Sequence, residues 1–164
     1  MVNKKWVVRF LELANLVATW SKDPSNKVAA VICKDKFIVS VGFNGFPVGT
    51  DDHPHLYENR DEKYPRIVHA EMNAILSARE DITGSTLYCT HFPCSSCAGA
   101  IIQKHIQCVV FPQQNREFIE RWATSMKHTL RMFKEVGIRI YQYNVADEDL
   151  KEINNFADFY PRKI

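Results

Sequence analysis

The sequence lacks long hydrophobic runs, a strong charge bias and low-complexity segments. None of its apolar stretches approaches the ~18 residues that a membrane-spanning helix needs. The 21 basic and 19 acidic residues leave a net charge of +2, whereas a domain that follows a nucleic-acid backbone is usually strongly basic. Six glycines and seven prolines in 164 residues give no sign of a repetitive chain. These absences favour a folded, non-membrane protein. They do not exclude the binding of a small phosphorylated ligand.

The N-terminal region also lacks the continuous apolar core of a signal peptide, because Arg9 and Glu12 interrupt its hydrophobic residues. Cysteine is scarce, and its number, five, is odd. Two of the five form a Cys-x-x-Cys unit downstream of a histidine, a pattern typical of metal binding in a reducing compartment. We therefore expect a cytoplasmic protein in which Cys33, Cys89 and Cys108 are unreactive buried thiols.

Apolar periodicity predicts the secondary structure of a single α/β domain over residues 1–164. A first helix is predicted over about residues 4–22, because apolar side chains recur there every three or four residues. Further helices are predicted over 67–79, 94–104 and 116–136, and the spacing within 146–164 predicts a short helical tail.

Five short apolar runs predict the strands of one sheet, at residues 28–33, 37–41, 86–90, 107–111 and 138–143. The first two are close enough to form a hairpin. The last two should be parallel, because a helix separates them. Together these elements predict a three-layer αβα sandwich with a mixed five-stranded sheet. The segment from Gly42 to Pro65 is longer than an ordinary connection, and such loops are usually functional.

Two segments carry residues suited to metal chemistry, His69-Ala70-Glu71 and Pro93-Cys94-Ser95-Ser96-Cys97. His69, Cys94 and Cys97 supply the three protein ligands of a catalytic zinc site, which keeps its fourth position for water. Glu71 is then left over to move protons. A structural zinc site would need a fourth protein ligand, and none is obvious nearby. His91 is close in sequence, but as the last residue of a strand it is better interpreted as a half-buried histidine.

A His-x-Glu segment followed by Pro-Cys-x-x-Cys is the signature of zinc-dependent nucleobase deaminases. These motifs alone fit any cytidine-deaminase-like enzyme. From about Trp6 to about Tyr143, however, the sequence also resembles the deoxycytidylate (dCMP) deaminase family. The segments that carry this closer resemblance are Asp23-Pro24-Ser25-Asn26-Lys27-Val28, Gly42-Phe43-Asn44-Gly45-Phe46-Pro47, Asp51-Asp52 and Asp61-Glu62-Lys63-Tyr64-Pro65.

The resemblance implies hydrolytic, zinc-dependent conversion of dCMP to dUMP and ammonia. It implies that Asn44 hydrogen-bonds the sugar and that the backbone N–H of Ala70 contacts the base carbonyl. Ser25 and Lys27 are expected near the 5′-phosphate. Residues 112–116 lack the basic and aromatic cluster that some members use on phosphate, which leaves Arg116 as the candidate there.

The resemblance also implies a homo-oligomer, often a hexamer, regulated by dCTP and dTTP bound with Mg²⁺. The loop after the second strand would form part of the regulatory site, and its residues here are Gly45, Phe46, Gly49, Asp51 and Asp52. Arg60 and Lys63 are further candidates for contacts to the triphosphate. The sequence leaves open whether 5-methyl or 5-hydroxymethyl cytosine is accepted.

Three alternatives compete with this interpretation. A deaminase acting on transfer RNA or single-stranded nucleic acid fits the segments around His69 and Cys97, but near-neutral charge and the long insert before His69 oppose it. The insert also disfavours a free-nucleoside deaminase. A catalytically silent zinc fold that serves as a binding module is opposed by the intact Glu71.

Overall fold

A computed structural model describes residues 2–160 of the chain and shows a six-stranded sheet between two layers of helices. The helices are α1 (Lys4–Ala18), α2 (Pro54–Glu58), α3 (Arg60–Arg66), α4 (Ala70–Ser77), α5 (Ser95–Gln103) and α6 (Arg116–Val136). The strands are β1 (Ala29–Lys34), β2 (Phe37–Phe43), β3 (Thr86–Cys89), β4 (Cys108–Pro112), β5 (Arg139–Asn144) and β6 (Asp149–Glu152). A short 3₁₀ helix, Phe156–Phe159, follows β6.

The sheet has the order β2-β1-β3-β4-β5-β6 and is mixed. Strands β3, β4 and β5 are parallel to one another, whereas β1 pairs antiparallel with both β2 and β3. The predicted hairpin and the predicted parallel pair are both confirmed. Parallel strands end at the same edge of a sheet, so the loops that follow β3 and β4 come together there.

Alternate residues of the central strands face opposite helical layers, as the two-residue period of a strand requires. On β1, Ala30 and Ile32 pack in the core that contains residues of α4, α5 and α6. Their neighbours Val31 and Cys33 pack with α1 on the other face. The predicted three-layer arrangement is therefore confirmed. Cys33, Cys89 and Cys108 are buried as expected, and burial raises the pKa of Cys33 to about 12.

The C-terminal segment differs from the prediction, because most of its described part is not helical. Residues Asp149–Glu152 form a sixth strand, β6, which pairs antiparallel with β5. The Asn144 side chain accepts hydrogen bonds from the N–H groups of Ala146 and Asp147, which closes the tight turn between the strands. Hydrogen bonding to the open edge of β5 is thus favoured over the helix that the apolar spacing of the tail predicts. Residues 161–164, the end of the predicted tail helix, lie outside the described residues.

Two helices are shorter than the spacing of apolar residues predicts. Helix α1 ends at Ala18, and Trp20 folds back so that its ring contacts that of Phe43 at a centroid distance of 6.1 Å. Helix α4 begins at Ala70, because Val68 forms an isolated bridge with Gly45. Within residues 2–160, no helix is both long and apolar enough to cross a membrane.

Helix α4 lies unusually close to β2. A Cβ placed on Gly42 would lie 2.2 Å from the Ala74 nitrogen and 2.4 Å from the Ala70 oxygen, both backbone atoms. Only a residue without a side chain allows this approach. Gly42 therefore sets the position of the helix that carries Glu71.

Candidate active site

A cavity of about 540 Å³ opens beside the metal-ligand motifs. Its lining includes the first residues of α4, the segment that precedes α5, the N-terminal half of α6 and residues of α3. The cavity is large enough for a small organic ligand, since such pockets typically range from ~300 to 1,000 Å³.

His69 and Cys94 occupy equivalent positions, because each is the N-cap residue of a helix, α4 and α5 respectively. Neither side chain caps its own helix, although N-cap side chains commonly do so. Instead the two side chains meet, with Cys94 Sγ 3.4 Å from His69 Nδ1. Cys97, three residues into α5, places its Sγ 3.5 Å from the same nitrogen.

The three ligand atoms fit a tetrahedral zinc ion. With usual zinc–sulfur and zinc–nitrogen bonds, sulfur and nitrogen in a tetrahedral site are about 3.5 Å apart, which matches the two observed distances of 3.4 and 3.5 Å. Within residues 2–160, no fourth His, Cys, Asp or Glu side chain joins the group. His91 lies outside it and is half-buried, as predicted. A donor set of three would leave a tetrahedral ion one open position.

Electrostatics favour a thiolate at the start of α5. A hydrogen bond from Cys97 is the largest of several contributions that lower the pKa of Cys94 to about 4. The contact with Cys94 in turn raises the pKa of His69. The positive ends of two helix dipoles also point toward this region, and they stabilise negative charge.

Glu71 lies in the first turn of α4 and lines the same cavity. Its side chain is buried, and loss of solvation raises the pKa of this carboxyl. A carboxyl with a raised pKa holds and releases protons closer to neutral pH than an exposed one. This placement would allow Glu71 to exchange protons with a ligand in the cavity.

One wall of the cavity contains a buried polar network. The Lys63 ammonium on α3 lies 2.6 Å from Asp23 Oδ2, and the exposed fractions of these side chains are 11% and 2%. Asp23 Oδ2 also accepts a hydrogen bond from Asn44 Nδ2 at 3.3 Å. The network joins α3, the segment before β1 and the residue after β2 at one place.

Another part of the cavity lining contains two arginines and three aromatic residues. Arg60 of α3 and Arg121 of α6 line it, together with Tyr64, Phe118 and Trp122. Neither arginine forms an ion pair with another described residue. Both guanidinium groups are thus available to an anionic ligand.

The structure brings together some of the sequence-predicted site residues and not others. His69, Ala70, Glu71, Cys94, Asn44, Ser25, Arg60 and Lys63 line the cavity, and Cys97 joins its metal-ligand group. Lys27 does not line it, and its Nζ instead donates to the Ser21 carbonyl at 2.6 Å. Arg116 is exposed and pairs with Glu120 at 2.7 Å, also outside the cavity lining.

The candidate regulatory residues after β2 lie in a loop beside the cavity. Gly45, Phe46, Gly49, Asp51 and Asp52 are not part of its lining, but Tyr57 connects the two. The Tyr57 ring stacks on Phe46 at 4.1 Å, and its hydroxyl donates to Asp52 at 2.5 Å.

Local sequence patterns do not identify two of the charged residues that line the cavity, Arg121 and Asp23. Arg121 follows Arg116 by five positions on α6, and the helical period places only Arg121 toward the cavity. Asp23 directly follows the predicted first helix, and its carboxylate is at the centre of the buried network. No local sequence pattern around Asp23 predicts its ion pair with Lys63, because Lys63 lies 40 residues later in the chain.

Known proteins resemble the chain both in sequence and in fold. The family described as the cytidine and deoxycytidylate deaminase zinc-binding region matches residues 4–113. An uncharacterised deaminase in the luxG 3′ region of Aliivibrio fischeri is 46% identical over 136 residues, which are 83% of this chain and 92% of that protein.

The deoxycytidylate deaminase of Homo sapiens is 40% identical over 114 residues. The match covers 65% of this chain and 64% of the human protein, so the chain spans slightly less than two thirds of that relative. Among solved structures, the dCMP deaminase of cyanophage S-TIM5 in complex with dCMP and dUMP has a TM-score of 0.70 and 25% identity. That match covers 87% of this chain and 99% of the phage chain.

Proposed function

Because the chain belongs to the cytidine and deoxycytidylate deaminase family and is a hydrolytic deaminase, we propose that it converts dCMP and water to dUMP and ammonia, with zinc. The observation that carries this proposal is the group His69, Cys94 and Cys97, which leaves one metal position open beside the buried Glu71. Relatives that are named deoxycytidylate deaminases support dCMP as the substrate.

His69, Cys94 and Cys97 would hold the zinc ion, which supplies a water ligand of lowered pKa. Glu71 then performs the proton transfers that the substitution at C4 of cytosine requires. Its carboxylate accepts a proton from the attacking water and delivers it to N3 of the ring. It next carries the second proton of that water to the 4-amino group, which leaves as ammonia while the C4 carbonyl forms.

Two buried residues of the cavity lining, Ala70 and Asn44, would orient the base and the sugar. Ala70 is the first residue of α4, and N–H groups at this position have no partner within the helix. We assign this N–H to the base carbonyl. Asn44, which also lines the cavity, is assigned to the sugar.

We assign the 5′-phosphate to the two arginines of the cavity lining. Arg60 on α3 and Arg121 on α6 are exposed there, and guanidinium groups bind phosphate oxygens with paired hydrogen bonds. Ser25 lines the cavity as well and adds a hydroxyl donor. Lys27 and Arg116, which were expected here from sequence, are less suited because both are engaged outside the cavity.

Regulation by dCTP or dTTP with Mg²⁺, acceptance of 5-substituted dCMP and assembly into a homo-oligomer are further proposals. The contacts of Tyr57 with Phe46 and Asp52 support regulation, because they connect the loop at 45–52 to a residue of the cavity wall. Arg60 and Lys63 lie in the cavity itself, a placement that favours roles toward the substrate.

Zinc-replete protein should be incubated separately with dCMP, CMP, deoxycytidine, 5-methyl-dCMP and a single-stranded or transfer-RNA substrate. Chromatography of the deaminated products, with and without dCTP and Mg²⁺, then ranks the substrates. We expect preferential conversion of dCMP. Reaction of only the polynucleotide would refute the dCMP assignment while preserving the zinc site, and an absence of any dCTP effect would refute the regulatory proposal.

A further inference from the structure

We infer that the buried Lys63–Asp23 ion pair is a positioning device that fixes Asn44 as a hydrogen-bond acceptor for the 3′-hydroxyl of the substrate. The inference rests on the proposed function, because it concerns how the same cavity recognises dCMP. It assigns Lys63 neither to an effector nor to the substrate phosphate.

The ion pair is short and almost fully buried. Lys63 Nζ lies 2.9 Å from Asp23 Oδ1 and 2.6 Å from Oδ2. A buried ion pair often adds little net stability, since both charges lose their water. The burial of this ion pair in a cavity wall therefore points to a role other than stability. Asp23 is oriented further by the N–H groups of Ser25 and Asn26, which donate to Oδ1 at 2.9 and 3.2 Å.

The hydrogen bonds of Asn44 fix the orientation of its amide. Nδ2 donates to Asp23 Oδ2 at 3.3 Å and to the Asn26 carbonyl at 2.8 Å, and Oδ1 accepts from the Val28 N–H at 2.9 Å. A flipped amide would place Oδ1 against two acceptors and Nδ2 against a donor. The network thus permits only one orientation.

This orientation determines which hydrogen bonds Asn44 can form with a ligand. An asparagine amide has two N–H donors and an oxygen with two lone pairs. Both donors are used within the protein, and only one lone pair of Oδ1 is used. Asn44 can therefore accept one more hydrogen bond but cannot donate one. In dCMP the 5′ oxygen carries phosphate and the 2′ carbon has no hydroxyl, so the 3′-hydroxyl is the sugar's only donor.

Lys63 acts through Asp23 on this arrangement. Without the ammonium group, the buried Asp23 carboxylate would lose its ion-pair partner and would turn toward water. This movement would displace the acceptor that holds Asn44 Nδ2. The amide would then lose its single orientation, and the 3′-hydroxyl would lose its acceptor.

The test compares dCMP with 2′,3′-dideoxycytidine monophosphate, which lacks the 3′-hydroxyl. The measured quantity is the ratio of kcat/KM for dCMP to kcat/KM for the dideoxy compound, in the zinc-loaded protein. We expect a ratio of at least about 10 for the wild type. In Lys63→Met the ratio should approach 1, because dCMP turnover falls while turnover of the dideoxy compound changes little.

Lys63→Gln is a second variant, because its amide keeps a hydrogen-bond donor on α3 but carries no charge. It should lower the ratio by less than Lys63→Met does. Lys151→Met is the matched control, since Lys151 forms a partly buried pair with Asp158 at 3.4 Å and does not line the cavity. This control should keep the wild-type ratio. Asn44→Ala should abolish the preference, and adding Lys63→Met to it should change the ratio no further.

The outcomes separate this inference from the proposed function. Equal losses on both compounds in the Lys63 variants would overturn the inference, because they would indicate a general structural role. A loss on dCMP and the dideoxy compound that is absent for deoxycytidine would also overturn it, and would make Lys63 a phosphate contact. A wild-type protein that deaminates no form of cytidine monophosphate would instead refute the proposed function.

Discussion

The ring of Phe159 packs edge-on against the ring of Phe92, with centroids 4.8 Å apart. Phe92 directly precedes Pro93 and the metal-ligand candidate Cys94, and both aromatic side chains are buried. Phe159 belongs to the 3₁₀ helix after β6. The C-terminal segment therefore supports the segment that leads into the zinc site, although the two are far apart in sequence.

Replacing Phe159 with alanine should destabilise the protein by about 3–5 kcal/mol, since the change leaves a cavity among buried aromatic rings. Urea unfolding measures the loss, and release of zinc to a chelator should be faster as well. Phe156→Ala is the control, because Phe156 is only partly buried at the edge of the same cluster. Equal effects of the two substitutions on unfolding and on zinc release would show that the contact between Phe159 and Phe92 does not specifically support the site.

Gly42→Ala should destabilise the protein by about 1–3 kcal/mol or more, because the new methyl group has no space between β2 and α4. The obstructing atoms are backbone atoms of Ala70 and Ala74, which cannot rotate away. Gly99→Ala is a matched control in α5, where an added Cβ meets nothing within 4 Å. That change should stabilise the helix by about 0.5–1 kcal/mol. Thermal unfolding of both variants checks the prediction, which fails if Gly42→Ala is as stable as the wild type.

Glu71→Gln should retain zinc but lose about 10²- to 10⁴-fold in kcat, because the amide cannot exchange protons. Metal analysis and product chromatography of the purified variant provide the two measurements. Glu120→Gln is the control, since Glu120 lies on the exposed face of α6 and pairs with Arg116. A zinc-loaded Glu71 variant with near-normal turnover would remove Glu71 from the mechanism.

Arg121→Ala should raise KM for dCMP about 10-fold, as expected for the loss of one charge-assisted hydrogen bond to phosphate. Turnover of deoxycytidine, which has no phosphate, should not change. Arg116→Ala is the comparison, because Arg116 carries the same charge on the same helix but lies outside the cavity lining. If Arg116→Ala had the larger effect on KM, the phosphate would belong at the start of α6 instead.

Local sequence patterns predicted most of the fold. The spacing of apolar residues located α1, α5, α6 and five strands, because each pattern reports which face of an element is buried. The same patterns were wrong about the tail, where spacing compatible with a helix forms β6. A strand at a sheet edge depends on hydrogen bonds from its neighbour, here β5, and periodicity within the strand does not report that neighbour.

The metal ligands and Glu71 could be predicted because zinc chemistry restricts both the residue types and their local spacing. His69 and Glu71 are two residues apart, and Cys94 and Cys97 are three apart, so each half of the site is encoded within one helix turn. The remainder of the cavity could not be predicted in this way. Lys63, Asp23 and Asn44 meet from three different segments, and their distances depend on how those segments pack.

The sequence by itself determined the chemical groups of this protein: a histidine and two cysteines for a metal, and a carboxylate for protons. The tertiary structure decided which charges face the cavity. It placed Arg121 there and left Arg116 outside, and it paired Lys63 with Asp23. The physical reason is that ligand spacing is a local property of the chain, whereas burial and charge pairing depend on the packing of distant segments.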